Sequence, residues 1–151
     1  MDNFSQKENE YFFDEAIQII STDIKDEKNR ELLARLNKLL TRARKFLIDK
    51  EYEEYFNNTR LAFYAAHDLN NDVLKDYSEL FMTFIKDSLA ETRTELKIMS
   101  SGLFGKKKYK YHVKRANLLL EEFENYRIAA SDLESFTITQ FDQNEEEGEK
   151  E

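Results

Sequence analysis

A short basic segment, residues 106–115, carries the strongest chemical signal in this sequence. Six of its ten residues are Lys or Arg, although the whole chain has a net charge of −8. A concentrated cationic patch attracts anions such as nucleic-acid phosphates or the carboxylates of a protein surface. Two apolar residues lie just before it, between two glycines. Together these candidate binding residues form a segment that we call the basic edge: Leu103, Phe104, Lys106, Lys107, Lys108, Lys110, Tyr111, His112, Lys114 and Arg115.

Three kinds of anion suit the basic edge. The first is a protein partner with an anionic surface. The second is nucleic acid, because a helix N-terminus favours phosphate and because Tyr111 and His112 can stack on bases. The third is the chain's own acidic end, residues 142–151, which carries six acidic residues and one lysine. Of the three, we expect a protein partner.

Arg60 and His67 are candidates for acid–base chemistry. They lie seven residues apart, which places them on one face of a helix. A guanidinium steadies phosphate charge and an imidazole moves a proton, so such a pair can cleave a phosphodiester. The spacing resembles the Arg-x(4–6)-His motif of HEPN-domain ribonucleases, although Leu61 stands where those nucleases carry a polar residue. The resemblance implies a dimeric helical ribonuclease with Arg60 and His67 as its catalytic residues.

Metal and cofactor chemistry finds no matching pattern in the sequence. The chain has no cysteine, and its two histidines, His67 and His112, lie far apart. Its three glycines do not form a phosphate-binding loop. We therefore expect no metal and no cofactor, and we expect the protein to act by binding and not as an enzyme.

The elements that must position these residues are predicted to be helices. The chain contains no proline and 36% charged residues, a composition that suits amphipathic helices. Apolar residues recur at helical spacing over residues of about 6–24, 28–48, 51–69, 72–99 and 107–130. Short links between these stretches favour antiparallel neighbours. The sequence thus predicts an all-α bundle of about five antiparallel helices, with the basic edge at the start of the fifth.

An alternative arrangement follows from residues 43–56, which resemble the turn of a TPR-type helix pair. The stretch passes from one helix through Asp49 and Lys50 into Tyr52, Glu53 and Glu54. That resemblance implies stacked helical hairpins with a concave surface for a partner.

The domain organisation is predicted to be simple. Residues 1–141 form one helical domain, and residues 142–151 form an acidic tail that is too polar to fold and is expected to be disordered. No apolar run is long enough to span a membrane, and the first residues lack the features of a signal peptide. We expect a cytoplasmic adaptor, regulator or inhibitor without a membrane partner. Its helical faces are also compatible with a homo-oligomer.

Overall fold

The described part of the chain is helical. The computed structural model describes residues 2–24, 27–69, 74–101 and 107–132, and these ranges contain no β-strand. Within these ranges the α-helices are α1 (Asp2–Gln18), α2 (Arg30–Ile48), α3 (Tyr52–Asp68), α4 (Lys75–Ser100) and α5 (Lys107–Asp132). The predicted all-α class is therefore confirmed.

The chain divides into two compact units, Met1–Leu120 and Glu121–Glu151. The first contains α1 to α4 together with the first half of α5, which is the part that carries the basic residues. In the second unit, the described residues are those of the end of α5. The predicted boundary between residues 141 and 142, and the predicted acidic tail, lie outside the described residues.

The first helix begins at Asp2, earlier than the apolar pattern predicts, and ends in a π-helical turn at Ile19–Asp23. In this turn the Ile24 N–H donates to the Ile19 carbonyl oxygen at 3.2 Å. The hydroxyls of Ser21 and Thr22 donate to carbonyl oxygens four residues earlier. Because such bonds compete with the regular backbone ladder, they favour a change of pitch where α1 ends.

A Schellman motif joins α2 to α3. The Glu51 N–H donates to the Phe46 carbonyl oxygen at 2.8 Å, and the Lys50 N–H donates to that of Leu47 at 3.1 Å. Lys50 has a φ of 59°, the left-handed conformation that this motif requires at the residue after the helix cap. The tight turn sets α3 antiparallel to α2.

The first four helices form a closed ring in which each contacts its two neighbours along the chain and α1 contacts α4. Asn9 contacts Thr92, and Phe12, further along α1, contacts Phe84, which lies earlier in α4. The two helices are therefore antiparallel. The contact between α1 and α4 favours a closed four-helix bundle over the stack of hairpins that the TPR-like segment implied.

The centre of the bundle combines packed rings with a buried polar network. Asn9, on α1, donates through Nδ2 to Thr92 Oγ1 at 2.8 Å, and its Oδ1 accepts a short hydrogen bond from Ser88. Because Ser88 gives its proton to Asn9, the Tyr55 hydroxyl donates to Ser88, with 2.8 Å between the oxygens. All four side chains are fully buried. We call this set, Asn9, Tyr55, Ser88 and Thr92, the polar core; it links α1, α3 and α4.

Candidate functional site

The first half of α5 packs on the bundle through one face. The His112 ring lies 5.3 Å from the Tyr52 ring and 6.1 Å from the Phe56 ring, measured between centroids, and both partners are on α3. Ala116 is fully buried one turn further along. On the α4 side, Arg93 donates to the Asn117 side-chain oxygen at 3.2 Å. These contacts fix which side of α5 faces solvent.

The opposite face of α5 carries basic and apolar residues in alternation. Lys107, Tyr111, Lys114 and Leu118 follow one another at intervals of four, three and four residues, so they form a single stripe along the helix. The two lysines are exposed, and Tyr111 and Leu118 are 51% and 56% exposed. We call these four residues the α5 stripe. It contains three exposed members of the predicted basic edge, Lys107, Tyr111 and Lys114, and adds Leu118 to them.

Other members of the basic edge lie beside the stripe. Lys108 and Lys110 are exposed, and Arg115 is half-buried. The Lys108 ammonium lies 5.1 Å from the centre of the Tyr109 ring, which is within cation–π distance. Leu103, Phe104 and Lys106 lie outside the described residues. The basic side chains that are described thus surround the stripe on one helix.

The basic residues at the start of α5 form no ion pair with acids in the described parts of the chain. No carboxylate there lies within ion-pair distance of the basic residues at positions 107–115. Arg44 on α2, by contrast, contacts Asp14 at 2.7 Å and Glu10 at 4.0 Å. A cation without an internal partner remains available to an external anion, and several on one face add their fields.

His112 is the member of the basic edge that faces the bundle. Its ring is partly buried, and Nδ1 has no hydrogen-bond partner among the described residues. Burial lowers the pKa of His112; Glu53 on α3 opposes this effect, while Lys108 and Arg115 on α5 add to it. The packed ring is therefore held in its neutral form.

This environment makes the stability of the protein sensitive to acid. Because folding lowers the pKa of His112 below its ordinary value of 6.5, the unfolded chain binds the proton first. The free energy of unfolding should therefore fall as the pH drops through 6.5, and the His112 contribution should be constant at higher pH. Urea unfolding at a series of pH values measures this dependence.

The matched variant is His112→Phe, which keeps a ring against Tyr52 and Phe56 but cannot bind a proton. Its free energy of unfolding should fall less than that of the wild type over the same pH range. Equal losses in the two proteins would show that protonation of His112 does not oppose folding.

Arg60 and His67 both lie on α3, two turns apart, as their spacing predicts. The Arg60 guanidinium lies over the Tyr64 ring at 5.1 Å. His67 Nδ1 lies 3.9 Å from an Asp68 oxygen, and the His67 side chain is only 14% exposed. Each side chain therefore contacts a neighbour on its own helix.

The polar core was missed by the sequence analysis. Ser88 and Thr92 lie seven and eleven residues after Phe81, on the same face of α4 as its apolar side chains. Small polar residues at apolar positions of a helix are the signal that marks buried hydrogen bonding. Asn9 had no such signal, because a single asparagine in a polar stretch of α1 is not distinctive.

The chain was compared with protein-family models, with curated proteins and with solved structures. No protein-family model matches the chain, and neither the curated proteins nor the solved structures contain a match. Among the described helices, none has the length and apolar character needed to cross a membrane. The described residues also contain no group of three His, Cys, Asp or Glu side chains that could hold a metal ion.

Proposed function

We propose that this protein is a helical interaction module, an adaptor, regulator or inhibitor, that binds an anionic surface of another protein through the basic edge. The observation that carries the proposal is the set of exposed lysines on α5, which have no acidic partner within the described residues. In a chain with a net charge of −8, such a face differs in sign from the protein as a whole. It can therefore orient a partner as well as attract it.

We propose that the protein acts in the cytoplasm. The chain has no cysteine, so it forms no disulfide bond that would need an oxidising compartment. Binding is supported over catalysis by the character of the face itself. Lysine ammonium groups and an exposed tyrosine supply charge and contact area, whereas His112, the nearest proton-transfer group, packs on α3. We also propose that the bundle can bind a second copy of the chain. Analytical ultracentrifugation, which measures the oligomeric state, tests this proposal.

The experiment that tests the proposal is affinity capture from native cell extract with two charge-reversed proteins. The first carries Lys107→Glu, Lys108→Glu and Lys110→Glu. The second carries the same number of reversals at exposed lysines on other helices, Lys38→Glu, Lys45→Glu and Lys97→Glu. Both variants change the net charge equally, so only the position of the change differs.

We expect an acidic protein partner that is retained by the wild type and by the second variant. The first variant should lose it by at least about tenfold, because reversed charges repel the partner at the interface. Identical captured proteins from both variants would contradict the proposal.

Nucleic acid is the alternative ligand of the same face, and salt distinguishes it. Gel-shift titration with RNA and DNA at several salt concentrations measures the slope of log affinity against log salt. A slope of about −3 or steeper, reduced by the α5 reversals, would assign the face to phosphate. Cleavage of RNA that is abolished by both Arg60→Ala and His67→Ala would instead support the ribonuclease alternative.

A further inference from the structure

The basic residues of the α5 stripe indicate only that the partner is anionic, whereas its apolar members also indicate what kind of structure the partner presents. Tyr111 and Leu118 lie outside the face of α5 that packs on α3, and about half of each side chain is exposed, although the Tyr111 ring also lies 5.7 Å from that of its neighbour His112. Seven residues of helix separate them, which corresponds to roughly 10 Å along the axis. Because this spacing is two helical turns, a second helix lying alongside α5 can contact both side chains with residues of its own that are seven apart.

We propose, building on the function proposed above, that the α5 stripe binds an acidic amphipathic helix of another protein. The partner helix presents two apolar residues seven positions apart to Tyr111 and Leu118. Its carboxylates lie beside these residues and meet Lys107 and Lys114. Apolar contact then supplies affinity, and charge supplies the choice of partner.

The distribution of charge along α5 predicts where along the partner helix its carboxylates lie. After Arg115 no basic residue occurs in α5 until Arg127, and Glu121 and Glu122 follow Leu118 in the sequence. Carboxylates on the partner are therefore favourable around the residue that meets Tyr111 and unfavourable around the one that meets Leu118. An acidic cluster at one end of the partner helix is the pattern that we infer.

Two other occupants fit the stripe less well. A second copy of the chain pairing through the same face would bring two stripes of the same positive charge together, and like charges oppose each other. Nucleic acid would pair its phosphates with the lysines, but it offers no helix of apolar side chains for Leu118. An acidic amphipathic helix uses every residue of the stripe.

The test uses fluorescence anisotropy of labelled peptides titrated with the full chain. The designed peptide is a helix of about 20 residues with two leucines seven apart and glutamates clustered around the first. Its control has the same composition but places the leucines on opposite faces. A second control is the sequence of residues 142–151, DQNEEEGEKE, which has acidic charge and no large apolar residue.

We expect the designed peptide to bind at least about tenfold more tightly than either control. The double variant Tyr111→Ser and Leu118→Ser should remove that difference, whereas Leu80→Ser, at an exposed leucine on α4, should preserve it. Replacing Lys107 and Lys114 with glutamine should weaken binding of all three peptides, because each carries negative charge.

The possible failures are distinguishable. Equal affinity for all three peptides, with weakening only in the lysine variant, would overturn the helix inference and leave the proposed binding of anions standing. Absence of binding to every peptide would count against both. Dimerisation of the chain that is lost on substituting Tyr111 and Leu118 would identify a second copy as the occupant and also overturn the inference.

Discussion

Replacing Tyr55 with alanine is expected to lower the free energy of unfolding by about 3–5 kcal/mol, the cost of removing a large buried side chain. The Tyr55 ring is fully buried, packs against Phe13 at 6.3 Å and against Phe56 at 5.5 Å, and lies at the centre of the first four helices. Its loss leaves a cavity beside these two rings. Urea or thermal unfolding measures the change.

The variant Tyr55→Phe separates the hydroxyl from the ring. Burial raises the pKa of Tyr55 to about 12, so the hydroxyl is protonated and can donate to Ser88 at any physiological pH. Removing it should cost about 1 kcal/mol, since Ser88 still donates to Asn9 and Thr92 still has the Ser88 carbonyl oxygen as an acceptor.

The control for both substitutions is Tyr111, which is 51% exposed on α5. Tyr111→Ala should change the free energy of unfolding by less than about 0.5 kcal/mol. If Tyr55→Ala were as mild as this control, Tyr55 would not be part of a packed core.

The fold followed from helical periodicity because most buried side chains are apolar and recur at the expected spacing. Leu33, Leu36, Leu40 and Leu47 on α2, for example, are all buried as their positions predict. The end of α1 was not predictable in the same way. The π-helical turn depends on side-chain hydroxyls competing for backbone acceptors, a local balance that hydrophobic pattern does not register.

The sequence predicted the positive charge of the candidate site, but it did not predict which of the side chains pack on the bundle and which are exposed. The concentration of lysines identified the start of α5, yet of the adjacent residues Tyr111 and His112 only His112 packs on the rings of α3, while Tyr111 is half exposed. Which of them packs on the bundle depends on how α5 meets Tyr52 and Phe56, and those rings lie more than fifty residues away in sequence. Sequence position alone therefore did not distinguish the side chain that packs on α3 from the one that is half exposed, and it omitted Leu118.

The second large effect is expected for Asn9→Ala, which should lower the free energy of unfolding by about 2–4 kcal/mol. Asn9 both accepts from Ser88 and donates to Thr92, and its side chain has no exposed surface. Alanine leaves the Ser88 hydroxyl without its acceptor and also leaves a cavity. Asn117→Ala, which removes an exposed asparagine from its contact with Arg93, is the matched control and should cost less than about 0.5 kcal/mol.

A double-mutant cycle distinguishes a connected polar core from separate hydrogen bonds. In Asn9→Ala the Ser88 hydroxyl is already deprived of its acceptor, so adding Ser88→Ala removes a polar group that had become unfavourable. The two losses should therefore sum to more than the loss of the double variant, by about 1–2 kcal/mol. Strict additivity would mean that Asn9 and Ser88 stabilise the bundle independently of each other. A clear coupling would instead show that hydrogen bonding between α1 and α4 helps to close the ring of four helices on which α5 is held.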